Sequence, residues 1–181
     1  MRIIVIWILT SLFFSCQSDE KRMEKNIQKE WRGKKIAFPT TLEAKFLGED
    51  TTCNDLLNKC YSILVYVDSN ECSECRLQLY EWYKKITETR AYSDSLAFLF
   101  VAHVENPKQV VILSKQNNFR YPIFFDKKGM MGKLNKFPDS YQFKTFLLNE
   151  KKEVVLMGTP IGNDELWRLY KEVIISGIKG K

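Results

Sequence analysis

The apolar positions of this 181-residue chain change rhythm several times, and each change marks an element. Ser62-Ile63-Leu64-Val65-Tyr66-Val67 is a short, continuous, β-branched run, the pattern of a strand buried on both faces. From Arg76 to Thr87 the period lengthens to that of a helix. Leu79, Trp82, Tyr83 and Ile86 recur at i, i+3, i+4 and i+7, with Arg76, Gln78, Glu81, Lys84 and Lys85 opposite. Leu96 to Val104 is a second core strand. Asn106 followed by Pro107 is a cap and a first helical position, and that helix runs through Val110, Val111 and Leu113 to about Asn118. Pro122 to Asp126 is a third strand, ended by Lys127-Lys128-Gly129. Phe143–Leu148 and Glu153–Met157 flank the turn Asn149–Lys152 and read as a hairpin. Asn163 caps a last helix, Asp164 to Ser176, with Gly177 just past its end and Leu166, Leu169, Tyr170 and Val173 as its buried stripe. Strands separated by helices, closing with a hairpin and a helix, predict an α/β domain with a mixed central sheet flanked by helices.

The start of the chain follows a different rule. Arg2 precedes an apolar run from Ile3 to Phe14, broken only by Thr10 and Ser11 and closed by Ser15-Cys16. A positive start, a short apolar core and a small residue describe a secretory signal. A spanning helix needs roughly 20 apolar residues, so the run is too short to cross a bilayer stably. Cys16 immediately after this core resembles the lipobox of bacterial lipoproteins, although Phe13 and Phe14 stand where Leu and a small residue are usual. That resemblance implies lipidation of Cys16 as the mature N-terminus. A soluble secreted form and an uncleaved anchor are the alternatives. Gln17 to Arg32 is dense in charge and offers only Met23, Ile27 and Trp31 for burial, so it reads as a tether that lifts the domain off the membrane. The expected organisation is a signal peptide at 1–15, a charged tether at 16–32 and one domain at 33–181.

Composition narrows the function classes. With 45% hydrophobic and 28% charged residues the chain is neither fibrous, low-complexity nor a multi-span membrane protein. The net charge of +6 is spread over pairs such as Lys34-Lys35, Lys127-Lys128 and Lys151-Lys152. No concentrated basic patch results, and no nucleic-acid partner is expected.

The candidate chemistry is Cys72-Ser73-Glu74-Cys75, between the Ser62–Val67 strand and the Arg76–Thr87 helix. Two cysteines at this spacing, between a strand and a helix start, have the arrangement of a dithiol redox site. The helix N-terminus favours a thiolate on Cys72. Cys75 shares the i, i+4, i+7 stripe of Leu79 and Trp82 and is expected buried, leaving Cys72 as the exposed attacker and Cys75 as the resolving thiol.

These residues resemble the thioredoxin fold, and within it the TlpA/ResA-like exported thiol–disulfide oxidoreductases. The resemblance covers roughly Gly33 to Gly177. It includes Tyr121-Pro-Ile-Phe-Phe-Asp-Lys-Lys-Gly129, similar to the family's F-P-x-x-x-D-x-x-G insert, and Phe143-Lys-Thr-Phe-Leu-Leu-Asn-Glu-Lys-Lys-Glu-Val-Val155, similar to its P-T-T-F-L-I-D-x-x-G-x-I-V strand pair. It implies a thioredoxin-like domain in the cell envelope, anchored on the periplasmic side of the inner membrane or at the outer membrane. Its partners would be client proteins with disulfides and a membrane electron donor, and it needs no cofactor. Three positions depart from the pattern. Phe143 stands where the family has the cis-proline that shapes the substrate groove, and a cis bond before a non-proline costs roughly 3 kcal/mol, so a trans loop is expected. Glu71 replaces a Trp, and Tyr66 replaces a buried carboxylate for which Asp68 and Glu74 are the nearest substitutes. Alternatively the pair is a structural disulfide or two inert thiols, in a module that binds a protein or peptide at the Phe143 loop.

The remaining candidates are weaker. Cys53 and Cys60 are either a local disulfide or small buried hydrophobes. Their spacing is unlike a zinc knuckle, and no metal is expected. His103 ends the second core strand, where it is either a proton-transfer group near Cys72 or a plain strand-end histidine.

Overall fold

A computed structural model describes residues 22–68 and 77–180. Among them, seven strands form one sheet in the order β2-β1-β5-β4-β3-β6-β7. The centre is β3 (Tyr61–Val67) and β4 (Leu96–Ala102), parallel and paired from Tyr61 opposite Leu96 to Val67 opposite Ala102. β5 (Ile123–Phe125) continues in parallel beyond β4. On the other side β6 (Thr145–Leu148) pairs antiparallel with β3, and β7 (Val154–Met157) antiparallel with β6. The expected hairpin is present. Asn149 Oδ1 accepts the N–H groups of Lys151 and Glu153, each at 2.9 Å, and fixes its turn. The distal edge carries β1 (Glu43–Phe46) and the two-residue β2 (Glu49–Asp50), antiparallel to each other, with β1 antiparallel to β5.

The sheet is buried on both sides, as the unbroken apolar runs of β3 and β4 require. Ile63, Val65 and Val67 point to one core with Trp82 of α2 (Leu79–Glu88), Val110 of α3 (Pro107–Gln116) and Tyr170 of α5 (Asp164–Lys179). Leu64 and Tyr66 point to the other, with Trp31, Ile36, Phe143, Phe146 and Met131 of the short α4 (Met130–Asn135).

Three expectations are corrected here. Residues 22–31 are a helix, α1, and the 16–32 stretch is therefore no free tether over that part. Trp31 is 5% exposed, with its ring 5.3 Å from Phe146 and 5.9 Å from Phe137. Truncating an aromatic so placed costs about 3–5 kcal/mol, which binds α1 to the domain. The stripe of α5 is Trp167, Tyr170 and Ile174, one notch from the expected one, and Leu169 is 42% exposed. α5 also runs through Gly177 to Lys179, because that glycine serves packing and not termination: a Cβ there would collide with Tyr61 Oη.

Candidate active site at the carboxyl edge of the sheet

Because β3, β4 and β5 are parallel, their carboxyl ends share one edge, where the chain emerges at Asp68, His103 and Asp126. Crevices outside such strand ends are where open α/β sheets bind ligands. Cys72 and Cys75 belong to the stretch 69–76, which lies outside the described residues, as does Cys16. The stretch leaves from Asp68 and rejoins at Leu77, which is 1% exposed in the α2-side core. Gln78 then adopts a left-handed conformation (φ 41°, ψ 45°), and α2 begins at Leu79 without a side-chain cap. The Leu79–Trp82 stripe therefore does not extend unbroken back to Cys75, and helical spacing alone no longer assigns that thiol to the core.

Asp68 is held by a lysine that sequence reasoning passed over. Lys144 Nζ lies 2.7 Å from Asp68 Oδ2, with the two side chains 6% and 21% exposed. The Lys144 carbonyl accepts the Tyr66 N–H at 2.9 Å, so the loop before β6 is stitched to the end of β3. The available signal was one lysine interrupting the apolar run Phe143-Lys144-Thr145-Phe146-Leu147-Leu148.

Phe143 has the expected trans geometry, and no cis peptide occurs among the described residues. Its ring is buried in the α1-side core. Its N–H is taken by the Ser140 carbonyl at 3.1 Å, and that of Lys144 by Tyr141 at 3.0 Å. The groove role expected of Phe143 is thereby narrowed: neither its ring nor its N–H faces outward, whereas the neighbouring Tyr141 is 45% exposed.

His103 is fixed through its backbone and through one ring nitrogen. Its backbone N–H bonds the Val67 carbonyl at 2.8 Å, and Nδ1 lies 2.7 Å from the Asp126 carbonyl. A carbonyl only accepts, so Nδ1 carries the proton. Nε2 faces Gly129, where a Cβ would lie 2.8 Å away and where φ is +62°. The Asp126 carboxylate, 1% exposed, accepts from Met130 N at 2.9 Å and Met131 N at 2.7 Å and starts α4. The Asp126-Lys-Lys-Gly129 spacing thus follows from a helix start under a histidine ring. Tyr66 is buried with its ring 4.7 Å from Phe137, on the sheet face opposite α2. Cys53 and Cys60 are free thiols, both half-buried; Cys60 precedes β3 at the amino edge, away from Asp68. Among the described residues no group of acidic, His and Cys side chains could hold a metal ion.

No family model and no curated protein matches the sequence. Solved structures do match. The thioredoxin domain of a thiol-disulfide oxidoreductase from Bacteroides vulgatus superposes with TM-score 0.60 at 12% identity, over 79% of this chain and 97% of that one. The fold is thioredoxin-like. A domain of a possible thiol-disulfide isomerase from Cytophaga hutchinsonii gives TM-score 0.56 at 16% identity over 83% and 97% of the two chains. A PrxQ mutant from Xylella fastidiosa gives 0.53 at 13% identity over 78% and 96%. At such identities the likeness is one of fold, and a thioredoxin-like fold by itself selects no single chemistry.

Proposed function

We propose that this chain is a membrane-tethered thiol–disulfide oxidoreductase that reduces client disulfides through Cys72 and Cys75. The observation that carries this reading is the dithiol sequence in the stretch that links the end of β3 to α2, in a thioredoxin-like fold. The Cys72 thiolate attacks one sulfur of a client disulfide, forming a mixed disulfide and releasing one client thiolate, which takes up a proton. Cys75, deprotonated, attacks the Cys72 sulfur, releases the second client thiolate and leaves a Cys72–Cys75 disulfide. Two electrons pass to the client, and a membrane dithiol donor restores them.

The direction follows from charge. Glu71 and Glu74 oppose a thiolate on Cys72, which makes the reduced form less stable and the potential more negative. Lipidation of Cys16 after export would hold the domain in the cell envelope, at the periplasmic side of the inner membrane or at the outer membrane.

Equilibration with glutathione and dithiothreitol buffers tests the reading. The expected potential is near the thioredoxin value of about −270 mV, and one above about −180 mV overturns the reductase direction. Cys72→Ser should abolish turnover, and Cys75→Ser should trap mixed disulfides. A pair that never equilibrates favours the second reading, a redox-inert binding module. The N–H groups of Phe143 and Lys144, both bonded within the loop and so not offered to a client, are the observation on its side.

A further inference from the structure

The path of α1 says where a lipid at Cys16 would hold the domain. α1 runs antiparallel to β7. At the start of β7, Gly33 N–H bonds the Val154 carbonyl at 2.8 Å, and at its end the Gln28 amide reaches the Met157 carbonyl at 3.5 Å. One turn nearer the chain's start, Glu24 shares a cleft with Tyr141, Gln142, Phe143 and Gly158. β7 is antiparallel to β6 and β6 to β3, so the end of β7 and the end of β3 lie at the same carboxyl edge. The start of α1 is therefore at the edge from which the Cys72–Cys75 stretch departs.

Only six peptide steps separate Cys16 from Arg22 in α1. Fully extended they span at most about 22 Å, whatever path they take. We infer that the anchor turns the carboxyl edge toward the bilayer, so that the dithiol serves disulfides carried by membrane-embedded or membrane-bound proteins and not freely diffusing clients. The inference rests on the reading of Cys16 and Cys72 above and adds the partner class and the orientation. The chemistry of that edge agrees. Arg22, Met23 and Lys25 of α1 are exposed, Met23 to 61%, and Tyr141, which lines the cleft with Glu24, to 45%. Cations interleaved with apolar side chains suit a surface of anionic headgroups. The opposite end of the chain points away: α5 starts after β7 and ends where Gly177 meets Tyr61, the first residue of β3, which places residue 180 near the amino edge.

That polarity supplies the test. The full chain, matured with its own lipid at Cys16, is reconstituted in vesicles containing phosphatidylglycerol. A second form begins at Gln17 and is held by a histidine tag after Lys181 on nickel-chelating lipid. Each is reduced and given a pyridyl disulfide attached to the headgroup of phosphatidylethanolamine, or the same group on glutathione as a soluble probe. Cys72→Ser versions subtract reaction at Cys53 and Cys60. The membrane-borne probe should react at least about tenfold faster with the native anchor than with the reversed one, as an effective-concentration effect. The soluble probe should react equally with both, which also reports that both are folded. Equal rates with the membrane-borne probe overturn the inference and leave the dithiol reading standing. No Cys72-dependent reaction with either probe overturns both, and a mature chain recovered without lipid overturns the anchor.

Discussion

The two edges of the sheet are closed by different physics. At the carboxyl edge each strand end is held by a polar group that is itself bonded: Asp68 by Lys144, His103 by the Asp126 carbonyl, and α4 by the Asp126 carboxylate. At the amino edge a close steric contact stands beside a turn and one lysine–hydroxyl hydrogen bond. Tyr61 Oη presses on Gly177, Asn149 folds the hairpin, and Lys152, its ammonium pKa pushed down by burial, reaches Ser62 Oγ at 3.2 Å. Burying an ion pair rarely stabilises more than apolar side chains of the same volume would. An edge that nonetheless keeps a buried lysine against a half-buried aspartate is organised to hold polar groups in place, while the amino edge is organised to be sealed.

The largest stability change should come from Asp126→Ala. Two N–H groups of α4 lose a charged acceptor, and chemical denaturation should show a loss of about 3 kcal/mol. A loss below about 1 kcal/mol would mean that the carboxyl edge is not held by this group. Lys144→Met should follow, at about 2 kcal/mol, because it removes the ammonium group paired with a partly buried carboxylate. The sharper measurement is the double variant Asp68→Asn/Lys144→Met, which should recover most of that loss; additive losses would show that the two side chains act separately.

Gly177→Ala probes the amino edge. Helix propensity favours alanine by about 1 kcal/mol, yet the contact with Tyr61 should outweigh it and leave a net loss of about 1 kcal/mol. Tyr61→Phe in the same chain should return part of the loss, and a stabilised Gly177→Ala protein would show that the edge is not tightly packed. The smallest effect concerns Tyr170, whose hydroxyl donates to the Gly158 carbonyl at 2.9 Å and whose pKa burial raises far above the ordinary tyrosine value. A pKa raised in the folded state gives stability that is complete below the unfolded value, about 10, and lost as pH rises beyond it. Denaturation midpoints should fall by an equivalent of about 1 kcal/mol by pH 10.5, and Tyr170→Phe should flatten that slope. Tyr121, likewise raised by burial, should leave a residual slope.

Whatever depends on residues a few positions apart was legible in the sequence. The two central strands, the Asn149–Lys152 turn and the Asn163 cap, whose side chain accepts from Leu166 N–H, all lie where period and capping place them. The dithiol was equally legible as a motif. Contacts between distant segments were not. Trp31 looked like one of three scattered apolar residues in a charged stretch until Phe137 and Phe146 closed on it. Gly177 looked like a helix stop until Tyr61 arrived above it. Asp68 and Lys144 stand 76 residues apart and meet only because β6 pairs beside β3. Helical and strand periods record which face of an element is apolar, but not which partner covers it. Strand order supplies the partner, and it therefore decided that α1 belongs to the domain and which polar groups surround the candidate site.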